Sequence, residues 1–196
     1  MQLKIKNSEE FEKLLKALAW ELVEANIFFK LYLDIKATTV EYTREFNESN
    51  TFWFLTLTSL LDTTLLRLCR VYDGNENANC LPNLLDIIKT NLDIFDEKNF
   101  RNRLKDNPFV DSLAQFSREP DLNQLDQDIE YVNKKTNLLV ENLIIWRGNI
   151  IAHKNAKNII KGKNLKINYP LNINDISELL EKGMAVALHQ KSLSNE

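Results

Sequence analysis

The chain has 196 residues, of which 44% are hydrophobic and 27% charged, a balance that excludes intrinsically disordered, collagen-like and low-complexity classes. Only four Gly and four Pro occur, where average usage would give roughly 12% for the two together, so long helices are expected. A net charge of −3 with two His and two Cys leaves no global nucleic-acid footprint and excludes a disulfide scaffold and most structural zinc sites.

The N-terminal stretch has no apolar run of secretory length and turns acidic at Glu9 and Glu10. No segment reaches the roughly 18 uninterrupted apolar residues of a membrane span, so a soluble cytoplasmic protein is expected. From Asn7 or Ser8 a first helix is predicted, with Glu10 completing a capping box on Asn7. Phe11, Leu14, Leu15, Leu18, Leu22, Phe29 and Leu33 then recur every three to four residues. A second helix is predicted from Ser49 or Asn50 to Tyr72. Its apolar residues, Trp53 to Val71, cover well over half the circumference, which predicts a central or doubly contacted element.

Residues 74–81 form a polar loop, and Pro82 suits the first turn of a third helix carrying Leu84, Leu85, Ile87, Ile88, Leu92 and Phe95. Between Asp96 and Pro120 the pattern breaks at Asn107-Pro108 and Glu119-Pro120, giving short helical pieces. A fourth long helix is predicted over Leu122 to Ala152, where Leu122, Leu125, Ile129, Val132, Thr136, Leu139, Leu143, Trp146, Ile150 and His153 keep a 3-4 spacing. Lys154, Lys157, Lys161, Lys163 and Lys166 follow in a basic loop without acids, with a short hairpin as one reading from Asn164. Asp175 and Glu178 open a last helix with Ile176, Leu179, Leu180, Met184, Val186 and Leu188. No repeat or linker divides the chain, so residues 1–196 are expected to form a single all-α domain, an up-and-down bundle of about five main helices.

Chemistry concentrates at the end of the fourth helix. With Leu122 at heptad position a, His153 falls at d, Arg147 at e and Asn149 at g, on or beside the seam. Arg supplies a permanently charged fork suited to phosphate, and His moves protons near neutral pH. Gly148 costs a helix interior roughly 1 kcal/mol against Ala, so a close backbone approach or a local distortion is expected there. The bland reading of His153 is a structural residue or a partner of the helix C-terminus.

The segment Trp146-Arg147-Gly148-Asn149-Ile150-Ile151-Ala152-His153-Lys154 resembles the Arg-x(4–6)-His motif of the HEPN superfamily (higher eukaryotes and prokaryotes nucleotide-binding). The order of an apolar helix ending in Leu68-Cys69-Arg70-Val71-Tyr72-Asp73, a polar loop, Leu84-Leu85-Asp86-Ile87-Ile88, the motif helix and a last helix is similar to its abortive-infection branch over about residues 8 to 190. The resemblance implies a helical bundle that dimerises through the motif region, so that two motifs face one cleft. It further implies a metal-independent endoribonuclease without cofactor, acting as a toxin or phage-defence effector against RNA, with a cognate antitoxin among its partners and no membrane. His153 would be general base or acid, Arg147 would hold phosphoryl oxygens, and Asn149 would orient either. Lys154 and Lys157 read from the sequence as part of a solvated loop, with RNA contact as the other option, and Arg70 is the third candidate for such a contact. Two positions depart from the pattern. Asn155 stands where the branch paired with a nucleotidyltransferase carries a modified Tyr, and Gly148 stands where a polar residue is common. The alternatives are a non-catalytic module binding RNA, a nucleotide or a protein through the same cleft, and a plain helical scaffold.

Other residues have structural readings. Arg70 and Asp73 have helix-pair spacing and suit an ion pair, with a phosphate contact as the other option. Phe52, Trp53 and Phe54 are expected in the core rather than as a base-stacking platform. Cys69 reads as a buried small hydrophobe, Cys80 as a loop thiol, and His189 as a surface residue. Asp121, Asp126, Asp128 and Glu130 most simply favour a helix N-terminus.

Overall fold

The computed structural model describes residues 4–114, 120–151, 160 and 164–190. These residues form helices and no strand. The long helices are α1 (Ser8–Thr38) and α3 (Asn50–Val71), joined by the short α2 (Thr43–Glu48). Next come α4 (Leu81–Thr90), a 3-10 turn (Leu92–Phe95), α5 (Glu97–Arg103) and α6 (Val110–Ala114). The second half holds α7 (Leu122–Val132), α8 (Leu138–Trp146), a π-helical segment (Arg147–Ile151), α9 (Leu165–Asn168) and α10 (Ile173–His189).

The first helix starts where its capping residues predict. Asn7 accepts from the Glu10 N–H at 3.0 Å, while the Glu10 carboxylate takes the Lys6 N–H at 2.8 Å, one residue earlier than a full capping box requires. Phe11, Leu15, Leu18, Leu22, Ala25 and Phe29 are buried along one face of α1. They meet Leu65, Leu68 and Val71 of α3 and Leu179 and Leu180 of α10 in one continuous core. At the α10 start, Asn172 and Asp175 form a complete reciprocal capping box, so the cap lies three residues before the expected Asp175.

Five expectations are corrected. The predicted fourth helix is broken between Val132 and Leu138. Asn133 accepts from the Lys135 N–H, Thr136 donates to the Glu130 carbonyl at 2.6 Å, and Asn137 caps α8 through the Leu139 N–H. These short polar side chains offer the backbone partners that compete with the helical ladder. The heptad phase counted from Leu122 therefore ends at Val132, and Leu122 itself is exposed.

The aromatic start of α3 is not core. Phe52 and Phe54 are exposed, and the buried residues of α3 begin only at Leu60. By length and composition α3 could also cross a membrane, as the one weak candidate span among the described residues. The reading of residues from 164 as a hairpin gives way to the helical turn α9.

Asp128, read as an N-terminal helix charge, is buried. It accepts from Gln124 at 2.9 Å and Gln190 at 3.0 Å, with His189 Nδ1 at 3.1 Å, so it ties the end of α10 to α7. Asp121 does cap α7. Cys80 is fully buried at the N-cap of α4, contrary to the loop-thiol reading. Burial raises its thiol pKa to about 11 and that of Cys69 to about 12, so both stay protonated at neutral pH.

Candidate functional site

The last two turns of α3 provide the platform. Tyr72, at the helix end, is almost wholly buried and donates its hydroxyl hydrogen to the Leu179 carbonyl of α10 at 2.7 Å. Cys69, one turn earlier, lies with Sγ 3.7 Å from the Leu143 carbonyl of α8. The motif helix is thereby docked on the same end of α3 that α10 pins.

Arg147 is the first residue of the π-helical segment and caps α8, its N–H reaching the carbonyls of Leu143 and Ile144. Its guanidinium Nη1 lies 2.6 Å from Asp73 Oδ2, with the Arg side chain 39% and the Asp side chain 15% exposed. Asp73 Oδ1 meanwhile accepts from the Asn75 N–H at 3.2 Å. The expected Arg70–Asp73 pair is not the one formed. Asp73 lies past the end of α3, where helical spacing no longer sets its direction, and Arg70 reaches Glu21 of α1 at 3.5 Å instead. Arg67 binds Glu21 and Glu24 at 2.8 and 2.6 Å.

Gly148 has open space where a Cβ would sit, so the close-approach expectation fails and the local distortion stands, as the π-helical turn around it. Asn149 Nδ2 donates to the Ile145 carbonyl at 2.9 Å, supplementing the backbone ladder where the helix widens. Gly148→Ala is thus expected to fit and to gain helix propensity of about 1 kcal/mol. That would raise the melting temperature by roughly 2–4 °C, as thermal unfolding followed by circular dichroism would report.

Two groups near the motif escaped sequence reasoning. Asp73 was read only as a helix-pair partner. Lys166 stood as one of five loop lysines, yet its Nζ sits 5.7 Å above the Trp146 ring, next to Arg147 in the chain. Trp146 is held by its Nε1–H on the Tyr169 carbonyl at 2.7 Å, which brings α9 back against the motif. The only sequence signals were the Tyr-Asp-Gly end of α3 and the Tyr-Pro after α9, and neither specifies a long-range partner. His153, Lys154 and Lys157 lie outside the described residues.

The order of α3, a polar loop, α4, the motif segment from α8 into the π-helical turn, and α10 at the end is the order that the resemblance to the HEPN superfamily implies. The family model for AbiU2, a HEPN abortive-infection family, matches residues 8–189, and the chain belongs to that family. No curated protein and no solved structure gives a match.

Proposed function

We propose that this chain is a metal-independent endoribonuclease of the abortive-infection type, working in the cytoplasm as a homodimer. The observation that carries the reading is the guanidinium of Arg147, fixed at one edge by Asp73 and still partly open to solvent at the end of the motif helix. A guanidinium so placed can offer its remaining N–H groups to a phosphoryl group.

In the reaction, the ribose 2′-oxygen attacks the adjacent phosphorus as its proton passes to a base. The bond to the 5′-oxygen breaks, and that oxygen takes up a proton, leaving a 2′,3′-cyclic phosphate. His153 supplies the proton transfers, Arg147 holds the charge that builds on the phosphoryl oxygens, and Asn149 orients them. Lys154, Lys157 and Arg70 draw in the RNA backbone. Two copies of this site face each other across the dimer cleft, and a cognate antitoxin restrains them.

Dimerisation is supported by an apolar face on α1 and α3. Trp20, Val23, Ile27 and Leu31 on α1, with Phe52, Leu55 and Leu66 on α3, are all exposed. Leu66 precedes Cys69 by less than a turn, so this face borders the side of α3 on which α8 docks.

The test is incubation of purified protein with mixed cellular RNA in the presence of a chelator. Cleavage with cyclic-phosphate ends is expected, reduced on the order of 10²–10³-fold in Arg147→Ala and in His153→Ala. Intact RNA with the wild-type protein would refute the enzyme reading and leave the binding-module alternative.

A further inference from the structure

Arg147 is the only motif side chain whose ion-pair partner is described, and that partner comes from a different element. Asp73 is well placed to hold it. The Tyr72 hydroxyl on the Leu179 carbonyl pins the end of α3 to α10. The Asn75 N–H on Oδ1 fixes the rotation of the Asp73 carboxyl group, which directs Oδ2 at Nη1 of Arg147. The backbone of Arg147 is meanwhile placed by the docking of α8 on α3 at Cys69 and Leu143.

An arginine side chain has about 2 kcal/mol of rotamer entropy to lose on being fixed, and the start of the widened helical turn is a poor place from which to aim one unaided. We infer that Asp73 is a positioning residue: its carboxylate holds the Arg147 guanidinium in the orientation that receives the phosphoryl oxygens, and it does not itself touch the substrate. This rests on the phosphoryl-holding role proposed above for Arg147.

The opposite use of the same contact would be a latch, in which the carboxylate occupies the arginine and keeps phosphate out. The two make opposite predictions. Under positioning, Asp73→Ala frees the guanidinium and lowers kcat on the order of 10²-fold, the scale of a misplaced catalytic group. Asp73→Asn, which keeps an oxygen on the same side chain, recovers most of that loss, and KM moves little in either variant. A latch would make both variants faster than wild type.

The experiment measures cleavage of a single-stranded RNA oligonucleotide by the wild type, Asp73→Ala and Asp73→Asn. Alongside it, the ¹⁵N resonances of the Arg147 side chain are recorded in the absence of RNA. A rotation-hindered guanidinium in the wild type, averaged in Asp73→Ala, together with the kcat loss and the rescue by Asn, is the expected result. Equal or faster cleavage by Asp73→Ala overturns the inference, as does a freely rotating Arg147 in an active wild type. A restrained Arg147 in a wild type that cleaves no RNA overturns the enzyme reading and leaves the pair as a structural tie only.

Discussion

Ile27→Asp is expected to convert the proposed dimer into a monomer, weakening association on the order of 10³-fold without lowering the stability of the fold. The residue is 56% exposed on the outer side of α1, away from the buried Leu22, Ala25 and Phe29. Trp20, Val23, Ile27 and Leu31 follow one another at three- and four-residue intervals, so they share that side. On α3, Phe52, Leu55 and Leu66 share a side in the same way, interrupted by Ser59 and Asp62.

The ion pairs from Arg67 to Glu21 and Glu24 mark where the two antiparallel helices touch. With the core on one side of that contact, both apolar stripes lie on the other. Together they expose on the order of 700 Å², taking ~150–250 Å² for each large side chain. That total approaches the roughly 800 Å² that one partner contributes to a standard interface.

In a two-fold interface the substituted residue occurs twice. Two buried unpaired carboxylates, at about 2 kcal/mol each, give the stated loss, since every 1.4 kcal/mol is tenfold. Analytical ultracentrifugation across micromolar concentrations checks it. RNA cleavage should fall with the dimer if the site is composite. A variant that stays dimeric would move the interface off this face, and a monomeric wild type would remove the composite site.

The second large effect is on folding. Gly183→Val should destabilise the protein by about 3 kcal/mol, the upper range for overpacking a filled core, and lower the melting temperature by roughly 6–12 °C. A Cβ at Gly183 would stand 2.9 Å from Leu22 Cδ2 and 3.0 Å from the Tyr72 hydroxyl. The Leu22 methyl is the end of a flexible side chain and can give way. The Tyr72 hydroxyl cannot move without losing its bond to the Leu179 carbonyl in a site that water does not reach. Because Asp73 follows Tyr72, strain there also reaches Arg147. Differential scanning calorimetry would measure the loss, and a melting temperature within about 2 °C of wild type would show that α10 does not pack this closely on α1 and α3.

Much of the fold was legible in the sequence. The α1 pattern from Phe11 to Phe29 predicted the buried face of the longest helix, because a sustained 3-4 spacing has few other uses. The polar loop before Pro82 and the short pieces between Asp96 and Pro120 were marked by residues that interrupt helices for local reasons. The long motif helix breaks although the apolar spacing continues across Asn133 and Asn137, because those two side chains turn and cap the chain there, which periodicity does not register. The exposure of Phe52 and Phe54 on α3 is not legible in the sequence, because apolar character says that a face needs cover, not whether the same chain supplies it.

Sequence alone determined the helical class, the family and the residues of the Arg-x(5)-His segment, since periodicity and a short motif are properties of neighbours along the chain. Which group holds Arg147, what Gly148 permits, where Gly183 is tight and which apolar face stays bare were decided only by the tertiary structure. Each depends on how α3, α8 and α10 cross, and the pairing of Asp73 with Arg147 joins two residues whose separation of more than seventy positions leaves no local signal.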